Sequence, residues 1–152
     1  MNYRHAIRTA FAAAVTLFIV GCSTVNTVNP DANLVAFSTT LRGANEVPSV
    51  MTAATGTVDA VLNKDTRLFR WKMSFSGLSG PATMAHFHGP AAVGTNAKVR
   101  LPFPAPITSP YSGRATLTPE QVSELMAGKW YANVHTAAHP GGEIRGWMVV
   151  VR

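Results

Sequence analysis

Five histidines occur in the 152-residue chain, and four of them fall in two short motifs. Ala85-His86-Phe87-His88-Gly89-Pro90 holds two, and Asn133-Val134-His135-Thr136-Ala137-Ala138-His139-Pro140-Gly141-Gly142-Glu143 holds the other two. The fifth, His5, lies close to the N-terminus. Imidazole is the commonest protein ligand of transition metals and the side chain that titrates nearest neutral pH. Residues two apart on a strand leave the same face, so His86 and His88 can reach one ion together. His135 shares a face with Asn133 and Tyr131, and His139 follows in a loop that Pro140-Gly141-Gly142 turns back toward Glu143. If the two motifs adjoin, four imidazoles converge, with Glu143 and Arg145 as outer partners. Four nitrogens without a thiolate suit copper, zinc or another borderline divalent ion. A ligand imidazole must be neutral, so affinity is expected to fall below about pH 6.5. A competing reading makes the histidines structural: they hydrogen-bond loop carbonyls and steady the Pro-Gly-Gly turn beside a Glu143–Arg145 pair.

The elements that must position these groups are mostly strands. From Arg67 to Ser76, Phe69, Trp71, Met73 and Phe75 alternate with Arg70, Lys72, Ser74 and Ser76, so one face is buried and one is wet. Further strands are expected over Leu34 to Ser38, Gly56 to Leu62, Ala82 to His88, Gly113 to Leu117, Trp130 to His135 and Glu143 to Val151, with Val58 in the core. Thr118-Pro119-Glu120-Gln121 is a helix start, with a threonine cap, proline at the first turn and a glutamine completing a capping box. Val122, Leu125 and Met126 form its apolar stripe, Glu120 and Glu124 are placed toward solvent, and Gly128 ends it. Short strands, Gly/Pro turns and one short helix near 119–127 predict an all-β fold, an antiparallel Greek-key-like sandwich or barrel.

The N-terminus reads as an export signal. Arg4 and Arg8 precede an apolar run, Ala10 to Val20, that is shorter than the roughly 20 residues of a membrane span. The run ends in Ile19-Val20-Gly21-Cys22, which resembles a bacterial lipobox, and Cys22 is the only cysteine. The expected organisation is a signal peptide over 1–21, a lipidated Cys22 with a tether over 22–33, and one folded domain over 34–152. The expected location is the cell envelope, on the periplasmic side, with the membrane held through the lipid. Ser23 after the cysteine resembles the pattern sorted to the outer membrane in a Gram-negative host. Net charge is +6 and falls by two, to +4, without Arg4 and Arg8. The remaining basic residues are scattered, which argues against nucleic acid and suits an anionic membrane surface.

Four separated segments resemble the CHRD domain, named from repeats in the extracellular antagonist chordin and common in bacterial exported proteins. They are Leu41-Arg42-Gly43-Ala44-Asn45-Glu46-Val47-Pro48, Phe75-Ser76-Gly77-Leu78, Ala85 to Pro90, and Tyr131 to Thr136 with Pro140 to Gly146. The resemblance covers roughly Val35 to Val151, implies an all-β domain, and supplies no reaction. Trp147 stands where a polar residue is expected in that pattern. No Gly-x-Ser-x-Gly or P-loop is present. Three functions follow. The first is a lipid-anchored binding module that holds a divalent metal or an envelope protein partner. The second is a metal-dependent redox enzyme loosely like copper/zinc superoxide dismutase, with Arg145 guiding an anion. The third is a structural or adhesive domain without metal.

Overall fold

The computed structural model describes residues 31–151. The expected signal peptide over 1–21, Cys22 and the expected tether as far as residue 30 lie outside the described residues. Among the described residues nine strands form one antiparallel sheet: β1 (Leu34–Arg42), β2 (Thr55–Asn63), β3 (Leu68–Ser76), β4 (Ala82–His88), β5 (Val99–Pro102), β6 (Tyr111–Thr116), β7 (Tyr131–Thr136), β8 (Ile144–Trp147) and β9 (Val149–Val150). A helix, α1 (Pro119–Met126), precedes β7. The strand order is β5-β4-β7-β8-β1-β2-β3-β6, with β9 beside β1, and the sheet curls into a half-barrel. The expected antiparallel β architecture with one short helix is therefore present. Strand β5 was not foreseen, because Val99–Pro102 is four residues long and ends in proline, which only a sheet end tolerates.

The half-barrel closes on an aromatic core. Phe69, Trp71 and Met73 are buried along β3, while Arg70 and Lys72 are exposed. Phe69 meets Phe37, Phe87 and Trp130 edge-on at centroid distances of 6.3, 5.4 and 6.3 Å, an arrangement the ring quadrupoles favour. The end strands β5 and β6 are bridged by Phe103 stacked on Tyr111 at 5.1 Å. Gly113 of β6 pairs with Trp71, and a Cβ there would fall 2.3 Å from the indole, so the bare backbone makes room for the ring.

The helix starts as its sequence requires. Thr118 accepts from the Gln121 N–H, the Gln121 side chain accepts from the Thr118 N–H, and Pro119 opens the first turn. Leu125 is buried, and Gly128 takes φ +67° past the end. Glu124 departs from its expected place in solvent. It is buried, accepts from Trp130 Nε1 at 3.0 Å, and pairs with Arg100. The guanidinium and the indole N–H arrive from β5 and from the residue before β7, so a helical wheel alone could not place it.

Candidate metal centre

Strand β7 is the centre of the site and is buried at all six positions. Its chemistry nonetheless alternates. Ala132 and Val134 join the hydrophobic core, while Tyr131, Asn133 and His135 point to the opposite face. Register extends that polar face sideways. On β4, His88 sits opposite Tyr131, His86 opposite Asn133, and Met84 opposite His135; on β8, Arg145 sits opposite Asn133 and Trp147 opposite Tyr131. Ala85 and Phe87 alternate into the core, so the two expected strand histidines share the outer face as anticipated.

This arrangement brings His86, His88 and His135 together. One ring nitrogen from each can be chosen so that all lie within 4.8 Å of one another, a group that could hold a metal ion. His86 Nδ1 and His135 Nε2 are 3.2 Å apart. Two nitrogens bound to one tetrahedral ion at about 2.0–2.1 Å would be about 3.3 Å apart, so the pair already has the spacing of a coordination edge. The far nitrogens are fixed by backbone. His135 Nδ1–H donates to Pro140 O at 2.9 Å, and His88 Nδ1–H donates to Ala97 O at 3.0 Å. In a neutral ring each such bond leaves the Nε2 lone pair free, the orientation that metal-ligating histidines adopt. His88 Nε2 lies 3.1 Å from Asn133 Oδ1. A neutral ring has one N–H, and with it spent on Ala97 the Nε2 lone pair stays unprotonated beside that oxygen.

All three rings are held neutral at pH 7. Burial pushes the His86 pKa down to about 4, helped by the neighbouring charges of His135 and His88. Burial also lowers His88, outweighing the Ala97 and Asn133 acceptors, and it lowers His135 against the Pro140 carbonyl. The Arg145 guanidinium pushes His88 and His135 the same way.

His139 is not in this group. The strand ends at Thr136, and the His139 backbone closes the following turn, its N–H donating to Thr136 O at 3.2 Å and its carbonyl accepting from Gly142 N–H at 3.0 Å. It borders a separate cavity of about 210 Å³ beside Glu46 and Pro48. Glu143 is likewise committed elsewhere. Its carboxylate accepts from Thr52 Oγ1 at 2.9 Å, Ser79 N–H at 2.9 Å, Ser79 Oγ at 2.7 Å and Thr136 Oγ1 at 2.7 Å. Burial alone would raise its pKa, but the bonds from Ser79, Thr136 and Thr52 together take it below the usual value. Glu143 thus ties the start of β8 to two loops and does not face Arg145.

The partner of Arg145 is Glu46, at 2.8 Å, with both side chains almost fully buried, at 3% and 2% exposure. Burial raises the Glu46 pKa even against the Arg145 charge and hydrogen bond. Gly142 takes φ +123°, and a Cβ there would lie 2.4 Å from Glu46 Oε1, so this carboxylate fits only beside glycine. Arg145 also donates to Asn96 Oδ1 at 2.7 Å and lies 4.1 Å over the Tyr131 ring. Tyr131 stacks on His88 at 4.8 Å, and its hydroxyl accepts from Ala97 N–H at 3.1 Å. Trp147, the unexpected aromatic, packs on Tyr131 at 4.8 Å. The segment Thr95–Ala97 is thereby latched over the histidines by the same arginine and tyrosine. Neither Glu46 nor the Asn96-Ala97 latch is marked by the local sequence; the one signal for Glu46 is its place in the Leu41–Pro48 motif.

With the sheet and its histidine face in place, the family is clear. Residues 37–148 match the CHRD domain, and the chain belongs to that family. No curated protein and no solved structure gives a significant match.

Proposed function

We propose that this CHRD domain is a binding module that holds one divalent ion, copper or zinc, at His86, His88 and His135. The observation that carries the reading is the pair of Nδ1–H bonds to Ala97 and Pro140 carbonyls. They spend one nitrogen of each ring on backbone and leave the other to the three-histidine group. The depressed pKa values add that no proton need be displaced near neutral pH. Affinity should therefore persist further below pH 6.5 than unperturbed histidines would allow, because all three pKa values lie under the ordinary one. Arg145 serves here by holding the Asn96-Ala97 latch and keeping the rings neutral. Titration calorimetry of the metal-depleted protein with copper(II) and zinc(II) tests the site. The wild type should take up one equivalent, and His86→Ala/His88→Ala should take up none while remaining folded. No uptake by the wild type would end the metal reading, and the adhesive-domain reading would then lead.

The location proposed is the cell envelope, through a lipid on Cys22, and it rests on the sequence Ile19-Val20-Gly21-Cys22. Labelled fatty acid should enter the wild-type protein and not Cys22→Ser; absence of label in the wild type would refute the anchor.

A further inference from the structure

Strand β4 carries a fourth potential donor beside the histidines. Its side chains alternate, with Ala85 and Phe87 in the core, so Met84, His86 and His88 leave by the other face. Met84 lies directly opposite His135, and His86 lies directly opposite Asn133. Cβ atoms of directly opposed residues are about 4.5–5.5 Å apart. The close His86–His135 nitrogen pair is thus a diagonal of a four-residue square, and Met84 is one of its remaining corners.

A bulge produces this placement. Ala82 pairs with Thr136, yet Met84, two residues on, pairs with His135, only one residue back. Without the extra residue, Thr83 would stand opposite His135 and Met84 would turn toward the core. Bulges of this kind re-aim a side chain beside a functional site. Met84 is 44% exposed and takes no part in the hydrophobic core. An unbranched thioether with free rotation can swing onto an ion held by its neighbours.

We propose that Met84 supplies a thioether ligand to the three-histidine site and makes it a site for copper(I). The inference rests on the three-histidine reading above and replaces its divalent ion with copper in the +1 state. Thioether sulfur is soft and selects copper(I), whereas zinc is held by imidazole, carboxylate or thiolate and gains little from it. Three imidazoles and one sulfur give copper(I) a complete four-donor set, contributed by two adjacent strands.

The full-length protein, purified in detergent, would be titrated anaerobically with copper(I) against a chromogenic chelator, and separately with zinc(II). Met84→Leu should weaken copper(I) by roughly tenfold or more, in the range that disturbing a metal's ligand environment produces, and leave zinc(II) nearly unchanged. X-ray absorption of the copper(I) form should contain a sulfur scatterer in the wild type that is lost in Met84→Leu. Equal affinity of both proteins for copper(I), or equal weakening for both metals, overturns the role of Met84 while the histidine site stands. Failure of the wild type to bind either metal instead removes the histidine site itself. Met84 is partly exposed, so the leucine variant should keep the wild-type unfolding midpoint.

Discussion

Strands β2 and β7 belong to the same sheet and bury their residues in different ways. Along β2, Gly56, Val58, Ala60 and Leu62 are buried while Thr55, Thr57, Asp59 and Val61 are exposed. Along β7 every residue is buried, although Tyr131, Asn133 and His135 are as polar as the outer face of β2. The difference lies in what covers the outer face. Over β2 there is solvent. Over β7 lie the Asn96-Ala97 latch, Glu46 and the turn through Pro140, each bonded to a side chain of the site. Polar groups removed from water cost stability unless each finds a partner. The cover on β7 is therefore a network of donors and acceptors matched at most positions, with Glu46 Oε1 and Arg145 Nε left over, and it creates the low-dielectric surroundings that keep three imidazoles neutral. A functional face of a sheet can thus retain strand-like alternation of chemistry while losing alternation of burial.

The largest effects should come from one substitution on each side of the sheet. Trp71→Ala removes a core ring that contacts Phe69, Phe87 and Phe103, and should cost about 3–5 kcal/mol through the cavity it leaves. Arg145→Ala should cost a comparable amount, about 3–5 kcal/mol, by leaving Glu46 buried without its counter-charge. The two should separate with pH. The Glu46 pKa is already raised, so acid neutralises the orphaned carboxylate and reduces the Arg145→Ala loss, whereas the Trp71→Ala loss should hardly move. Denaturant unfolding at pH 5 and pH 8 would measure both. An Arg145→Ala loss under 1 kcal/mol at both pH values would mean that the outer face is not built around this pair.

Much of this was legible in the chain, and the remainder was illegible for identifiable reasons. The period-two pattern of β3 and the capping box of α1 are local, and both formed as read. His86 and His88 lie on one strand, so their shared face followed from spacing alone. His135 joined them because β4 and β7 are neighbours, which only the assembled sheet decides. His139 was grouped with His135 by sequence proximity, but a turn begins at Thr136 and carries it away. The Glu46–Arg145 pair joins residues about a hundred positions apart, and no local pattern distinguishes that glutamate from any loop carboxylate. Glu143 sat two residues from Arg145 and seemed the natural partner on proximity, yet the hydroxyls of Thr52, Ser79 and Thr136 claim it.

A smaller, pH-dependent effect should mark the outer face of the metal-free protein. The folded His86 has a pKa near 4 against about 6.5 when unfolded, so between these values the unfolded chain binds more protons. Stability from this group is fully present above pH 6.5 and is lost as pH falls toward 4. His88 and His135 act in the same direction. Glu143, with its lowered pKa, extends the loss below about 4.5, while Glu46, with its raised pKa, opposes it. His86→Ala should therefore narrow its stability gap to the wild type as pH drops from 6.5 to 4. A gap independent of pH across that range would show that the ring is not kept neutral by its surroundings.

The smallest effect sharpens the comparison by using two residues in equivalent outward positions. Lys72 points out from β3, where it is exposed and lies across from Asp59 and Ser112. A surface charge facing one exposed carboxylate contributes little, so Lys72→Ala should change stability by no more than about 0.5 kcal/mol. Asn133 points out from β7, where it is buried beside His88 and Arg145. Asn133→Ala removes the amide beside His88 Nε2 and should cost about 1–3 kcal/mol, the range for leaving a buried polar group unpaired. Copper or zinc should recover part of that loss, because an ion on His88 Nε2 takes over the role of the missing amide. Saturating metal should leave Lys72→Ala no nearer the wild type than before, since nothing on β3 touches the ion. Equal costs for the two substitutions would mean that the cover over β7 has no energetic consequence and that the two strands differ only in accessible area.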